Sequence, residues 1–282
     1  MKRALLIGIN YTNTTSIQLN GCINDIINMR NMLIDAYDYN AANIMMLRDD
    51  TTNINYQPTR VNIITNLKNL VAQSTAQDEL WIHYSGHGSQ LQDRNGDETG
   101  KLDSILVPVD YASSGYILDD EILSIIKNIK CRAILLFDAC HSGTMCDLPW
   151  TLEYKNAYNY SLSQNNQIVI ANPNIFMMSG CKDNQTSGDT YNSFSQESGG
   201  VFTIAFLTCL RNSRHNISML LLYRDICNYI VSAGYSQYPL FSSSSSAPKY
   251  NLLRALPRPT NMTKAIVITN TIKNSMRTVM NI

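Results

Sequence analysis

Two positions in this chain combine a reactive side chain with the kind of backbone that exposes one. Cys140 leaves an apolar run, AILLFDAC, and enters His-Ser-Gly. A lone cysteine is more often a small buried hydrophobe than a nucleophile, so residue type alone decides nothing. The small residues after it leave room for a second molecule and free backbone N–H groups. A nearby imidazole can ionise such a thiol, and thiolate is the attacking species. His87 closes a second apolar run, ELWIHYSGHG, between Gly86 and Gly88. Glycines on both sides make a turn that presents the ring rather than burying it. A ring so presented can take the thiol proton and later hand it to a leaving group. The N–H groups of Gly88 and Cys140 are candidates to hold the oxyanion formed between those steps. His83 lies inside its run and reads as structural. His141 competes for the role of base, but neighbours on an extended chain point to opposite faces.

Carboxylates accompany both positions. Asp138 stands two residues before Cys140, on the same side of its strand. On the residues alone, a functional role and a structural one are evenly balanced there. Asp25, in NGCINDIINM, reads first as an exposed helix charge. Asp93, Asp97, Glu98, Asp103, Asp119, Asp120 and Asp147 form a wider acidic set, for which a solvated loop is the ordinary explanation. DRNGDE resembles the opening of an EF-hand loop, yet Glu98 stands where that loop needs glycine. Asp119 and Asp120 also suit the cap of a helix starting there.

Elements must hold these residues, and the apolar spacing supplies them. Residues 3–9 read as a buried strand. Leu19, Cys22, Ile23, Ile26, Met29 and Leu33 recur at three- and four-residue steps and predict a helix with one apolar face. Short strands follow at 43–47, 79–84, 133–138 and 175–179. Helices are expected after a Thr59 N-cap, carrying Val61, Ile64, Leu67 and Val71, and over 120–129, 200–211 and 218–233. Residues 249–256 suit a closing strand. Residues 144–174 read as a long irregular excursion, and FSSSSSAP at 241–248 as a low-complexity loop. Strands alternating with helices predict an α/β fold, a mainly parallel central sheet with helices on both faces. Ligands bind outside the carboxyl ends of such strands, where His87 and Cys140 both stand.

Bulk properties exclude several classes of protein. Of 282 residues, 22 are Lys or Arg and 22 are Asp or Glu, so the formal charge is zero and no basic arm points to nucleic acid. No apolar run is long enough to span a membrane, and the N-terminal run stops at Ile9, too short for a signal peptide. Seven cysteines without a CxxC pair indicate neither a disulfide framework nor a zinc ribbon. The expectation is a reduced, cytoplasmic setting with no nucleic-acid or membrane partner.

His87 precedes Cys140 by 53 residues, the His-before-Cys arrangement of caspases. HYSGHG at 83–88, the GDE…D…PVD segment at 96–110, DDE at 119–121 and DACHSG at 138–143 resemble the signature blocks of type I metacaspases. MSGCKDNQTS at 178–187 and YSQYPLFSSS at 235–244 resemble further blocks of that family. The resemblance implies a caspase-like fold over 1–256, with 257–282 as a C-terminal tail. It implies a cysteine endopeptidase with a Cys140–His87 dyad, a thioester acyl-enzyme, and protein or peptide substrates cut after Arg or Lys. By motif position, Asp25, Ser85 and Asp138 correspond to the pocket for the residue before the cut (P1), where paired carboxylates suit a guanidinium or ammonium group. Asp103, Asp119, Asp120 and Asp147 correspond to a calcium site. The resemblance further implies a monomer. Many type I metacaspases carry a Pro- or Gln-rich segment before this domain, and none is expected here because the matching begins almost at Met1. Autoprocessing within 144–174 falls on Lys155, the only basic residue there. The rival expectation is a catalytically silent, metacaspase-like binding scaffold.

Overall fold

Alternation along the central strands divides their side chains between two apolar layers, and this sets the architecture. In the computed structural model, residues 1–92, 102–139, 145–156, 159–180, 189–192, 197–235, 237 and 239–255 are described. The first half runs β1 (Lys2–Gly8), α1 (Cys22–Tyr37), β2 (Ile44–Arg48), α2 (Arg60–Ala72), β3 (Glu79–Ser85), β4 (Gly88–Gln92) and β5 (Leu102–Leu106). It continues with α3 (Tyr111–Ser114), β6 (Ile117–Leu118), α4 (Asp119–Ile126) and β7 (Arg132–Asp138). The second half adds β8 (Trp150–Asn156), β9 (Asn159–Gln164), β10 (Ile175–Ser179), β11 (Asp189–Asn192), β12 (Glu197–Gly200) and α5 (Val201–Asn212). Last come β13 (Ile217–Ser218), α6 (Met219–Ser232), β14 (Leu240–Ser243) and β15 (Asn251–Leu252).

Eight strands form the central sheet in the order β2-β1-β3-β7-β10-β14-β8-β9. The five from β2 to β10 are parallel, and the last three are antiparallel. Leu5 and Ile7, Ile82 and Tyr84, and Leu135 and Phe137 pack with α2 and α4 on one face. Ala4 and Leu6, Trp81, and Ile134 and Leu136 pack with α1, α5 and α6 on the other. Each fully buried Leu or Ile in these layers contributes about 1.5–3 kcal/mol. The expected mainly parallel α/β sheet, covered on both faces, is what forms.

Helix boundaries follow local chemistry. Thr59 caps α2 as expected, its hydroxyl accepting from the Asn62 N–H. Val61 is exposed, though, and the buried face is carried by Ile63, Ile64, Leu67, Leu70 and Val71. At the other end of α1, Asp38 adopts a left-handed φ of 58° and its N–H closes the last turn on the Leu33 carbonyl.

Three sequence expectations change. Residues 144–174 are not an irregular excursion: they contain the β8–β9 hairpin, which extends the central sheet. The serine-rich stretch is not simply a loop, because Leu240–Ser243 is an internal strand between β10 and β8. Residues 249–256 do not close the central sheet; Asn251–Leu252 pairs with β13 in a small separate ribbon. The tail, 257–282, lies outside the described residues. Among the described residues, no helix is long and apolar enough to cross a membrane.

Candidate active site

Adjacent β3 and β7 end together, with Ser85 opposite Asp138 in register. Trp81, Ile134 and Leu136 fix the faces: the period of two sends Ser85 and Asp138 to the side covered by α1 and α5. Asp25, on the first turn of α1, meets them there and is only 2% exposed. The ordinary reading of Asp25 as an exposed helix charge is therefore wrong. The Ser85 hydroxyl donates to Asp25 Oδ2 at 2.7 Å, and the Gly200 N–H approaches both Asp25 oxygens at 3.1 and 3.2 Å. Asp138, 4% exposed, accepts the Thr203 N–H at 2.8 Å. Both carboxylates thus lie against the start of α5, where backbone N–H groups and the helix dipole favour negative charge.

The chain must come close there. A Cβ on Gly200 would fall 2.1 Å from Asp138 Oδ2, and one on Gly199 would fall 2.8 Å from Asp25 Oδ1. A Cβ on Gly180, after β10, would stand 3.3 Å from Asp138 Oδ1 and 3.0 Å from the Gln237 amide nitrogen. Gln237 is buried, and sequence reasoning did not single it out as a site residue. Its only signal was its place within the YSQYPLFSSS block.

His87 follows β3 by two residues and is half-buried. Its Nε2 lies 2.7 Å from the Ile17 carbonyl oxygen. A carbonyl only accepts, so Nε2 carries the proton, and the neutral ring offers Nδ1 as its basic atom. The Gly86 N–H donates to the Asp138 carbonyl at 3.2 Å, tying the His87 turn to the end of β7. Ile17 was not legible as a site residue, because any residue type supplies a carbonyl. His83 is fully buried on β3, with Nε2 3.3 Å from Thr203 Oγ1. Burial pulls its pKa down to about 3, so it stays neutral, in keeping with a structural role. Gly88 opens β4. Cys140 and His141 lie outside the described residues, as do Asp93, Asp97 and Glu98.

Of the four acids assigned to calcium, Asp103 on β5 and Asp119 at the start of α4 are buried. Asp120 and Asp147 are half-buried. Asp119 accepts the Ser104 N–H at 2.7 Å and the Asp120 N–H at 3.0 Å. The Cys146 thiol is pushed far up by burial and then by the charges of Asp147 and Asp119, so both acids lie within electrostatic reach of one sulfur. Hard carboxylate donors of this kind suit Ca²⁺. Among the described residues, however, no group of three or more His, Cys, Asp or Glu side chains is gathered closely enough to hold a metal. The donors fit in kind, without forming such a group among the described residues.

Lys155 lies on β8 beside the hairpin turn, where the β8–β9 register is irregular, and its ammonium group reaches Glu153 at 2.6 Å.

Comparisons with known proteins identify the family and the fold. A family described as metacaspase, peptidase C14 domain, matches residues 2–149. The chain belongs to the metacaspase family. It is 34% identical to metacaspase-1 of Schizosaccharomyces pombe, over 86% of this chain and 67% of that one. It is 33% identical to metacaspase-1 of Saccharomyces cerevisiae, over 86% of this chain and 66% of that one. The chain thus spans about two thirds of the length of these relatives. In fold it is similar to a protein of Geobacter sulfurreducens, with a TM-score of 0.58, 20% identity, and 92% and 95% of the two chains covered. Caspase-1 of Spodoptera frugiperda aligns with a TM-score of 0.56 and 13% identity over 88% of each chain. The α/β architecture is caspase-like.

Proposed function

We propose that this metacaspase is a calcium-dependent cysteine endopeptidase that cleaves proteins after Arg or Lys, using Cys140 and His87. The observation that carries this reading is the Ser85–Asp138 register: His87 and Cys140 each follow by two residues from strands that end side by side. The Ile17 carbonyl supports the role of His87, since it leaves Nδ1 as the acceptor.

In this reading His87 Nδ1 takes the proton of the Cys140 thiol, and the thiolate attacks the scissile carbonyl. The N–H groups of Gly88 and Cys140 receive the oxyanion. His87 returns the proton to the leaving amine as the C–N bond breaks, giving a thioester. Water, deprotonated by His87, then cleaves the thioester and restores the thiol. Asp25 and Asp138 lie against one turn of backbone, and a pair of carboxylates there selects a cationic P1 group. Ser85 orients Asp25 through its hydroxyl. Asp103, Asp119, Asp120 and Asp147 would hold Ca²⁺, which when bound would supply positive charge shared by β5, α4 and the segment after β7.

The test is turnover of short peptides with Arg, Lys or Asp at P1, in calcium or chelator. Cleavage after Arg and Lys, lost in Cys140→Ala and in chelator, is expected. Asp138→Asn keeps an acceptor for the Thr203 N–H but removes charge, and should raise KM for Arg about tenfold or more. Activity persisting in Cys140→Ala, or in chelator, overturns the nucleophile or the calcium assignment respectively. Preference for Asp at P1 overturns the pocket.

A further inference from the structure

We infer that Tyr11 is a positioning residue for His87, with Tyr84 as its partner, so that two buried phenols clamp the peptide that carries the base. Tyr11 follows β1 by three residues, is 1% exposed, and the mechanism above gives it no role. The inference rests on His87 acting as the base.

The hydrogen bonds close without leftover protons. The His87 N–H donates to the Tyr11 hydroxyl oxygen at 3.0 Å, and the Tyr11 O–H donates to the Val107 carbonyl at 2.7 Å. The Tyr84 O–H donates to the His87 carbonyl at 2.8 Å, and the Val107 N–H reaches that same carbonyl at 3.2 Å. Both polar groups of the His87 main chain are therefore held. Gly86 is part of the device: a Cβ there would stand 2.8 Å from the Tyr84 oxygen and 3.2 Å from that of Tyr11. Any larger residue would push the phenols off the peptide.

Tyr11 also acts on the ring. Its own ring centroid lies 4.7 Å from that of His87, tilted by 39°. Its backbone has a φ of +53°, a region that bulky residues rarely adopt. That conformation starts the turn in which the Thr14 N–H returns to the Tyr11 carbonyl. The turn leads to Ile17, whose carbonyl receives His87 Nε2. One residue thus supports the imidazole by its peptide, its face and the segment that fixes its tautomer. Burial and the adjacent Tyr84 hold the Tyr11 phenol well above its ordinary range, so its O–H remains a donor at neutral pH.

Tyr11→Phe tests this, because it keeps the ring and removes both hydrogen bonds. Steady-state turnover of a P1 Arg peptide should show kcat lowered by about 10–100-fold with KM within about twofold, the mark of a misaligned base. Tyr84→Phe, which leaves the His87 N–H bonded, should show a smaller fall of the same kind. Tyr39→Phe is the control: an equally buried phenol bonded to Glu79 at the far end of β3, expected to leave kcat unchanged. A second readout needs no activity. In the folded wild type, the His87 ring N–H bonded to Ile17 should give a slowly exchanging proton signal by NMR, broadened or lost in Tyr11→Phe. Wild type without turnover but with that signal, lost in the variant, upholds the clamp and sinks the peptidase reading. Unchanged kcat and an unchanged ring signal in Tyr11→Phe overturn the clamp. A change confined to KM overturns it too, as does a fall in kcat matched by Tyr39→Phe.

Discussion

His83 is fully buried on β3, and burial lowers its pKa to about 3, against about 6.5 in an unfolded chain. The unfolded chain therefore binds one more proton than the folded one between those values. Stability is complete above about pH 6.5 and is lost as pH falls toward 3. From pH 7.5 to 5.5 the loss from this one group should be about 1.4 kcal/mol. Urea midpoints at the two pH values measure it, and His83→Gln, which can still bond Thr203, should remove that increment. An equal pH response in the variant would assign the loss to other groups. His83 also illustrates what single residues disclose in advance. Its place inside an apolar run marked it as structural, just as the flanking glycines marked His87 as different. Asp25 was singled out by motif position alone, because its burial depends on α1 docking against the end of β3 and the start of α5, and no local spacing records that. Ile17 and Tyr11 were equally silent: one offers only a carbonyl, the other a phenol whose partners, His87 and Val107, are distant in the sequence.

The starts of α2 and α5 show two ways an element can be anchored, and they predict different failures. Thr59 satisfies one free N–H of α2, so Thr59→Ala should cost about 1 kcal/mol and leave KM for a P1 Arg peptide unchanged. At α5 the N-cap is Gly200, with φ −67° and ψ 137°, a conformation open to any residue. The glycine is needed for space, since a Cβ would strike the Asp138 carboxylate. Gly200→Ala should therefore destabilise by about 1–3 kcal/mol and also raise KM for Arg, by displacing Asp138. Thermal melts paired with peptide kinetics separate the two, and an unchanged KM in Gly200→Ala would argue against Asp138 in the pocket. Element by element, the parallel strands were legible because each is an unbroken apolar run covered on both faces. The hairpin was legible in principle: WTLEYKN alternates apolar and polar with a period of two, and the surrounding Asn, Tyr and Ser obscured it. Leu240–Ser243 was not, for serines fill an internal strand only when neighbouring strands supply their partners. Thr151 and Ser242 do this across β8 and β14, 2.9 Å apart.

Across the whole molecule, the two ends of the sheet divide stability from function. At the amino end of β3, burial alone would raise the Glu79 pKa, but Lys2 and Arg132 outweigh it and hold the carboxyl below its ordinary value. Tyr39 and Tyr250 bond to the same carboxylate. Glu79→Gln should cost about 1–2 kcal/mol, discounted because Arg132 is partly exposed, with kcat and KM unchanged. At the carboxyl end the roles proposed for the acids are in ligand binding instead, and calcium supplies the sharpest case. Asp103 and Asp119 are buried in the β5–α4 layer, and Asp147 belongs to the segment after β7, so an ion bound to them would link pieces of chain that are far apart in sequence. Binding to the folded state alone stabilises it by about 2.7 kcal/mol at a hundredfold excess over Kd. For a chain of this size that is a rise in Tm of roughly 5 °C. A melt of the Cys140→Ala protein in calcium against chelator reads this without any turnover. Asp120→Asn is the informative variant, because Asp120 is half-buried and its carboxylate can be neutralised at less cost to the fold than the buried Asp119. The shift should vanish in that variant. A shift of the same size with Mg²⁺ alone, which demands tighter octahedral geometry, would assign these acids to a less selective site. No shift with calcium would leave them as the acidic lining of the β5–α4 layer.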